Sequence, residues 1–427
     1  MKQSAEDPRP GRGSEIRRSP GRRCSPLLRV LLTAVVATAL LAWSGCRRET
    51  KRDAYTVGVI ATLSGEGAPN GVDMTDAVKL AVRQVRADGG LRVGRDLFDV
   101  RVIAEDDGNT PGGAMSAARR LIFQVGVDAL IGPQLSSHAI PVGGLAEAEG
   151  IPMICPMSTH PDTTSGRRYV FRVPFLDTFQ GYVLARFARN TCNASRAAVL
   201  YDVAGEYSRT LAEVFMASFR ELGGEISDQE TYTTDQSADF ADELGRIAAS
   251  EPDVLVLPNF DADVWRQGIQ ARRQGIEAVL LGGDGWNASR YAELEPFSGS
   301  FLVSHWDPGL ETAQTRHFVR AFDEAYDRMP GDVAATSYDA GRLLFAAVRE
   351  AGSVEPAEVR TALYAMGPVE CVTGTIDYTD SGDPVKSAVV LRIGDGDVEV
   401  YGRVDPRETI PSTVSPAEED DGDGGGR

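Results

Sequence analysis

Hydroxyl side chains collect in the first half of the chain at the points where apolar runs end. The run "VGVIA" leads to Ser64, "ALIG" leads to Ser136 and Ser137, and "IPMIC" leads to Ser158 and Thr159. Hydroxyl groups beside the free N–H groups at the start of a helix are suited to holding a carboxylate. We therefore predict a carboxylate-binding half-site among these residues.

The second half of the chain offers a different chemistry at the corresponding points. Tyr207, Phe260, Asp284 and Trp286 follow further apolar runs. A single aspartate suits an ammonium group, and aromatic faces suit an apolar side chain or a cation. Taken together, the two halves predict a pocket for a zwitterion.

Each of these residues also has a purely structural interpretation. Ser137 could be the N-cap of the helix that follows it, and Thr159 could belong to an ordinary Ser/Thr turn. Asp284 lies in "GGDG", a sequence typical of turns. Tyr207 could pack at the start of a helix, and Phe260 could belong to the core.

Enzymatic and metal-dependent functions receive little support from the sequence. Ser137, His160 and Asp284 are the residue types of a hydrolase triad, but no GxSxG elbow is present. His138 and His160 lie beside the hydroxyls without a third metal ligand, so we interpret them as polar lining. No Lys-Ser/Thr pair follows the glycine-rich stretches, which excludes a phosphate loop of the usual kind. We predict a binding protein that is not an enzyme, with no cofactor and no metal.

The elements that must position these residues alternate between short buried strands and helices. In the first series, strands are predicted at 55–61, 97–106, 127–132 and 151–155, with helices at 73–90, 112–124 and 138–150. In the second series, which begins near Gly181, strands are predicted at 196–202, 224–232, 252–260 and 277–284, with helices at 181–190, 208–224, 238–250 and 261–276. This alternation predicts two similar α/β domains with parallel sheets covered by helices. In such sheets ligands bind beyond the carboxyl ends of the strands, where the residues above stand.

The order of several sequence blocks points to a known family. The blocks are "VGVIATLSGEGAPNG", "IGPQLSSHAIP", "GIPMICPMSTHPD", "YVFRVPFLDTFQG", "LGGDGW" and "VTGTIDYTDSGD". In this order they resemble the substrate-binding proteins of branched-chain amino acid ABC transporters, the Leu/Ile/Val-binding type. The resemblance implies a type I periplasmic binding protein fold, with two Rossmann-like lobes that have parallel central sheets and are joined by three hinge crossovers. It places 55–176 and 305–380 in an N-terminal lobe, and 177–304 and 381–404 in a C-terminal lobe.

The resemblance also assigns roles in the first lobe. Ser137 matches the family serine that binds the ligand α-carboxylate, and Thr159 matches a threonine that contributes its hydroxyl and N–H. Met157 contributes backbone groups, and Ser158 lies between them in the same loop. The aromatic residue that the family has in its first loop is replaced by Asn70.

In the second lobe, the family acid that pairs with the ligand ammonium falls on Asp284, one methylene shorter than the usual glutamate. A family pocket tyrosine falls on Tyr207, with a one-residue difference in loop length. Another tyrosine position holds Phe260. These changes leave the side chain of the ligand open between a branched aliphatic amino acid, an aromatic one and a small amide.

The N-terminus has the features of a bacterial lipoprotein signal over residues 1–45. A basic leader precedes fourteen apolar or small residues at 30–43, and Ser44-Gly45-Cys46 then supplies the lipidation site. This apolar run is too short to span a bilayer. We predict a lipid anchor at Cys46 and a tether over 46–54, with an uncleaved anchor helix as the alternative. Either arrangement places the rest of the chain on the periplasmic side of a bacterial membrane.

Composition narrows the remaining choices. The formal net charge of −18 argues against nucleic acid as a partner, and the polar, glycine-rich segment 405–427 is predicted to be disordered. Cys155, Cys192 and Cys371 leave open whether one disulfide forms. We predict a monomeric lipoprotein that captures an amino acid and delivers it to an ABC permease. A sensory or amide/carboxylate-binding receptor of the same fold is the alternative.

Overall fold

The computed structural model describes residues 54–233, 239–378 and 381–406. The first sheet is built from the N-terminal part of this region. Its strands are β1 (Ala54–Ala61), β2 (Leu91–Val93), β3 (Asp96–Asp106), β4 (Ala129–Ile131), β5 (Met153–Cys155) and β6 (Val170–Arg172). They are arranged in the order β2-β3-β1-β4-β5-β6, and every pair is parallel except β2 with β3.

The second sheet combines the middle of the chain with its C-terminal part. The remaining strands are β7 (Arg196–Asp202), β8 (Glu225–Tyr232), β9 (Val254–Val256), β10 (Val279–Gly282), β11 (Phe301–Ser304), β12 (Val369–Cys371), β13 (Gly374–Ile376), β14 (Ala388–Ile393) and β15 (Val398–Val404). Seven of them form a sheet in the order β15-β14-β11-β10-β9-β7-β8. It is parallel from β8 to β11, and β14 and β15 extend it antiparallel. Strands β12 and β13 form a separate antiparallel ribbon.

Helices connect the parallel strands and cover the sheets. They are α1 (Ala68–Ala87), α2 (Pro111–Arg119), α3 (Ser136–Glu149), α4 (Asp177–Asn190), α5 (Glu206–Glu221), α6 (Ala241–Ala249), α7 (Asp261–Arg273), α8 (Ala288–Ala292), α9 (Ala313–Tyr326), α10 (Asp332–Ala351) and α11 (Pro356–Ala365). The late helices α9 and α10 pack against α1, so they return to the first sheet. Between Ala197 and Tyr201 every side chain is buried, as expected of a strand with helices on both faces.

The described chain passes between the two sheet systems three times. It leaves the first after β6, returns after β11, and leaves again between β13 and β14. The predicted fold class, two mainly parallel α/β sheets joined by three crossovers, is therefore confirmed. We refer to the two sheets with their helices as the first and second lobes.

Some helices begin earlier than predicted. Helix α1 begins at Ala68 rather than at 73, because Pro69 is well suited to a first turn although it suggests a loop in the sequence. Gly71 is required there, because a Cβ atom would lie 1.8 Å from the carbonyl oxygen of Thr62. The segment predicted as one helix over 112–124 is α2 followed by a π-helical segment, Arg120–Val125.

Three predictions concern segments that lie partly or wholly outside the described residues. The signal segment 1–45 with Cys46, most of the tether 46–54 and residues 407–427 of the predicted tail are in this group. Within the described ranges, no helix is long and apolar enough to cross a membrane. Cys155, Cys192 and Cys371 are free thiols.

Candidate ligand-binding site

The first half of the candidate site is at the carboxyl ends of β4 and β5. Helix α3 starts at Ser136, and its N-cap is Leu135, so the interpretation of Ser137 as an N-cap is wrong. Ser137 lies in the first turn of α3 and is half-buried. First-turn N–H groups have no partner within their own helix. This end of α3 therefore presents free donors.

The loop after β5, residues 156–164, is held by its own polar side chains. The hydroxyl of Ser158 donates to Ser136 Oγ at 3.0 Å and lies 2.6 Å from Thr163 Oγ1. Met157 and Thr159 are also buried, at 8% and 1% exposure. The hydroxyl of Ser158 thus has its partners within the first lobe. We call residues 156–164 the cradle loop.

Arg172, at the end of β6, holds the cradle loop in place through hydrogen bonds. It is fully buried, and its guanidinium donates to the carbonyl oxygens of Ser158 at 2.9 Å and of His160 at 2.8 Å. Its Nε lies 2.6 Å from Oδ1 of Asp383, in the third crossover. The Arg172 N–H donates to the carbonyl of Gly382 at 2.9 Å. Arg172 was not predicted as part of the site, because a single arginine after an apolar run usually indicates an exposed side chain.

The acid of the second half follows β10. Asp284 is 9% exposed, and its Oδ1 accepts a hydrogen bond from Gln180 Nε2 at 2.8 Å. Its Oδ2 lies 3.1 Å from Nε2 of His305. Burial lowers the pKa of His305 despite the neighbouring carboxylate, so this imidazole stays neutral and donates from Nε2.

Two aromatic rings lie beside Asp284. Tyr207 and Phe260 stack with their centroids 4.9 Å apart, and the hydroxyl of Tyr207 accepts the N–H of Gly285 at 3.1 Å. Burial and the nearby Asp284 carboxylate raise the pKa of Tyr207, which keeps its hydroxyl protonated. Phe260 is 37% exposed, so its interpretation as a core residue is wrong.

Trp286 does not belong to this group. Its Nε1 donates to the carbonyl of Leu257 at 2.8 Å, and its ring packs against Tyr291 and Phe297. Its exposure is 5%. We predicted that Trp286 would be available to a ligand at the end of a strand. This prediction is wrong, because the indole packs in the core.

Asp177 lies where the two halves meet. It is the first residue of α4, directly after the first crossover, and its N–H donates to the carbonyl of Thr159 at 3.0 Å. The side chain is fully buried. Burial, together with the charge of Asp284, raises the pKa of the Asp177 carboxyl well above its ordinary value. A second contact between the lobes joins His160 Nε2 and Glu206 Oε2 at 3.9 Å.

A family model described as periplasmic binding protein matches residues 54–397. The chain belongs to the periplasmic binding protein family. This match covers the first sheet, the second sheet except β15, and every residue of the candidate site described above.

Individual relatives of this periplasmic binding protein agree with the family match. It is 26% identical over 344 residues to Leu/Ile/Val-binding protein homolog 3 of Brucella melitensis, covering 77% of this chain and 88% of the relative. Among solved structures, the leucine-binding protein LivK of Thermotoga maritima superposes with a TM-score of 0.77 at 28% identity, covering 83% of this chain and 99% of that one. The LivJ protein of Streptococcus pneumoniae, solved with isoleucine, gives 0.76 at 27% identity, covering 83% and 100%. The predicted family resemblance is confirmed.

The two histidines of the first lobe of this periplasmic binding protein have separate partners. His138 Nδ1 lies 3.2 Å from Asp107 Oδ2, and Thr62 donates to the same carboxylate at 2.8 Å. His160 Nδ1 accepts the N–H of Asp162 at 3.1 Å. Within the described ranges, no group of three or more potential metal ligands is present. The histidine bound to Asp284 is His305, so the triad considered from sequence has no hydrogen-bonded Asp284–His160 pair.

Sequence reasoning missed Asp177, Gln180 and His305 as members of the site. His305 directly follows β11, so the rule that placed Asp284 at a strand end would also have found it. Asp177 and Gln180 were missed because helix α4 was predicted to begin near Gly181 instead of at Asp177. Asn70, which replaces the expected first-loop aromatic, is exposed in the first turn of α1.

Proposed function

We propose that this protein is an extracytoplasmic solute-binding lipoprotein that captures an amino acid, branched-chain or related, and delivers it to an ABC permease. The observation that carries the proposal is the opposite chemistry of two facing half-sites. One presents neutral hydroxyl and N–H donors, and the other presents a carboxylate beside two aromatic rings. A zwitterion with an apolar side chain matches both. The relatives named for leucine, isoleucine and valine support the same class of ligand.

In the first lobe, the ligand α-carboxylate would be held by the hydroxyl of Ser137 and the first-turn N–H groups of α3. Thr159 would add its hydroxyl and N–H, and Met157 and Ser158 would contribute backbone groups. Ser158 acts through its backbone because its hydroxyl already bonds to Ser136. These donors are neutral, so the carboxylate is bound without a full counter-charge, as is typical of helix N-termini.

In the second lobe, Asp284 would bind the ligand ammonium, while Tyr207 and Phe260 would cover the apolar side chain. The neutral His305 and Gln180 hold the carboxylate of Asp284 in position. A ligand with only a carboxylate would bring its charge near Asp284 without compensation. The site therefore favours amino acids over simple carboxylates.

The lobes, 55–176 with 305–380 and 177–304 with 381–404, would close over the ligand by rotation at the three crossovers. A ligand that contacts both lobes stabilises the closed form, because half of its contacts exist only there. Small-angle X-ray scattering should show a smaller radius of gyration at saturation. An unchanged radius with bound ligand would contradict closure.

A thermal-shift screen against amino acids, amides and carboxylates tests the ligand class. At a ligand concentration of about 100 times Kd, binding should stabilise the protein by roughly 2.7 kcal/mol. We expect aliphatic or aromatic amino acids to raise the unfolding temperature. If only amides or carboxylates do so, the protein is a receptor of another kind.

The anchor is tested in the native host. Cys46→Ser should move the protein from the membrane fraction to the soluble extracytoplasmic fraction, since lipidation requires the Cys46 thiol. The same preparation, analysed by light scattering, should give the mass of a monomer. Continued sedimentation of the variant with membranes would disprove the lipid anchor and leave ligand binding untouched.

A further inference from the structure

Three large apolar side chains are exposed at one edge of the first sheet, where its parallel strands begin. Leu97 and Phe123 are each 59% exposed, and Val125 is 41% exposed. A single exposed apolar residue is common on protein surfaces, whereas a group of them at one place marks a contact surface. The strand register and the segment before β4 bring the three into such a group.

Leu97 lies beyond the start of β1. The register pairs Ala54, the first residue of β1, with Asp99 of β3, so Leu97 projects two residues further, a distance of about 7 Å. Alternate residues of a strand point to the same face. Ile103 therefore shares the face of Leu97, and it packs against the apolar cluster that α2 forms with the sheet. Leu97 is thus on the face that α2 covers.

Phe123 and Val125 belong to the π-helical segment that follows α2 and precedes β4. Leu121 of this segment is buried in the same cluster as α2. Asp128, directly before β4, donates its N–H to the carbonyl of Thr56 in β1 at 2.8 Å. The sheet order β2-β3-β1-β4 puts β1 between β3 and this segment. The chain therefore enters β1 between the exposed apolar residues of β3 and those of the π-helical segment.

Exposed arginines stand beside these apolar side chains. Arg92 of β2 is directly opposite Leu97 in the antiparallel register, so the two side chains are neighbours on one face. Arg119 is the last residue of α2, about one helical turn before Phe123. The edge therefore combines apolar groups with cations, which is the combination found at interfacial membrane contacts.

The charge near this edge is basic, although the chain as a whole carries −18. Asp96 and Asp99 lie on β3 at this edge, and Asp99 pairs with Arg86 at 3.0 Å. The adjoining sequence 47–53, RRETKRD, adds four basic and two acidic residues. A basic segment next to a membrane is attracted to anionic phospholipid.

The predicted lipid anchor keeps this edge close to a membrane. Cys46 and the residues up to 53 lie outside the described part of the chain, but their number limits the distance that they can span. From Cys46 to Ala54 there are eight residue steps, which reach at most about 29 Å when fully extended. The edge around Ala54 therefore stays near the bilayer whatever the conformation of the tether.

We propose that Leu97, Phe123 and Val125, with Arg92 and Arg119, form a membrane-contact surface that lies on an anionic phospholipid bilayer. The apolar side chains would enter the boundary between headgroups and acyl chains, and the arginines would bind phosphate groups. The inference rests on the proposed lipoprotein and goes beyond it, because it gives the bilayer a second contact, made by the folded first lobe itself.

A contact of this size is sufficient because the anchor supplies a high effective concentration. Three apolar side chains and a few cations would bind a bilayer weakly from solution, but attachment at Cys46 makes the contact intramolecular. The candidate ligand site is at the opposite, carboxyl ends of the same strands. The contact therefore directs the ligand site away from the bilayer, toward the solution from which the ligand arrives.

Quenching by brominated lipid tests the inference. Lipidated Phe123→Trp protein is reconstituted on vesicles of phosphatidylglycerol and phosphatidylethanolamine whose acyl chains carry bromine near the headgroup. Bromine quenches indole fluorescence at close range, so the fluorescence that this substitution adds over the wild type should be lost. Brominated phosphatidylcholine vesicles, which have no net charge, should quench it less, because the arginines are no longer attracted.

The matched control is Tyr401→Trp on β15, in the second lobe. Tyr401 is 51% exposed, and its ring packs against Phe187 and Phe301. The fluorescence that this substitution adds should be the same with and without bromine in the lipid. Both variants carry the same anchor, so a difference between them reports the side of the protein that meets the bilayer and not attachment as such.

The wild-type protein provides a second measurement that needs no substitution in the surface. Hydrogen–deuterium exchange is compared between lipidated wild type on the anionic vesicles and Cys46→Ser protein in solution. The backbone of 93–97 and 122–126 should exchange more slowly on the vesicles. The segment 307–312, in the second crossover, is the reference and should exchange at the same rate in both samples.

Two kinds of failure are distinguishable. If the wild type sediments with membranes but Phe123→Trp is quenched no more than Tyr401→Trp, or if quenching is equal on anionic and uncharged vesicles, the inference is wrong and the anchor stands. Equal exchange of 93–97 and 122–126 on vesicles and in solution has the same meaning. If the wild type does not sediment with membranes at all, the lipoprotein of the proposed function is wrong, and the inference falls with it.

Discussion

The two halves of the candidate site differ in how far their polar groups are satisfied by the protein itself. In the first lobe, the hydroxyl of Ser158 bonds to that of Thr163. Arg172 donates to the carbonyl of Ser158 and pairs with Asp383. Around Asp284, the fully buried residues Asp177, Gln180 and His305 keep polar atoms without a hydrogen-bond partner among the described residues. A satisfied network is rigid, and an unsatisfied one is costly. The first half is therefore held by its own hydrogen bonds, whereas the second half keeps acceptors that its own side chains leave unsatisfied.

The largest effect should come from breaking the network of the first half. Arg172→Ala would remove the charged partner of Asp383, which keeps only hydroxyl donors, and the donors that hold two cradle-loop carbonyls. Loss of one partner from a buried ion pair costs on the order of 3–5 kcal/mol. Urea denaturation should show that decrease in the free energy of unfolding. Arg120→Ala, which removes a more exposed pair with Glu105, is the control and should change it far less.

Removal of the acid of the second half should act on binding more than on folding. Asp284→Asn would leave the ligand ammonium short of a counter-charge, which costs on the order of 2–5 kcal/mol of binding free energy. Calorimetry with the preferred amino acid should show the loss. An amino acid bound by this variant as tightly as by wild type would contradict the zwitterion site and the role given to the second lobe.

A smaller loss is expected in the first half for Ser137→Ala. One hydrogen bond to the ligand carboxylate disappears, but the N–H groups of α3 remain, so the cost is on the order of 1.5–3 kcal/mol. The order of the two variants should reverse for a simple carboxylate, which makes no use of Asp284. Titration of both variants with both ligands separates the halves, and an unchanged order would show that the assignment of charges is wrong.

The smallest effect concerns the aromatic pair. Phe260→Leu would remove the stacking on Tyr207, a contribution of about 0.5–1.5 kcal/mol beyond area burial. Urea denaturation without ligand should show a loss of that size, and the affinity for an amino acid with an apolar side chain should also fall, because the Phe260 ring would cover that side chain. Phe123→Leu, at a ring that is 59% exposed, is the matched control. Equal affinities of the wild type and both variants for this amino acid would contradict the placement of Phe260 in the site.

The sequence was informative where local physics decides the outcome. Strands buried on both faces appear as continuous apolar runs, so their carboxyl ends could be located, and with them Ser137, Tyr207 and Asp284. The sequence was misleading where contacts between distant parts of the chain decide the position of a side chain. Trp286 follows a strand but turns into the core, and the buried position of Arg172 depends on Asp383, more than two hundred residues later.

The C-terminal edge of the second sheet also escaped prediction as strands. β14 pairs antiparallel with β11, which precedes it by more than eighty residues. No local signal specifies such a partner, because the intervening helices α9 to α11 belong to the other lobe. Helix starts were missed for a related reason, since the first turn of α4 is fixed by the bond from Asp177 to Thr159 across the crossover.

The link between β6 and the third crossover constrains the mechanics of opening. Gly382 accepts the N–H of Arg172, and a Cβ atom at this position would lie 2.0 Å from the carbonyl oxygen of Val170. The backbone at 382–383 is thus bonded to the first lobe and should move with it when the lobes rotate. We expect the pivot to lie beyond it, between Pro384 and β14. A bulky residue at 382 would shift that axis and misalign the two lobes even if each lobe kept its own shape.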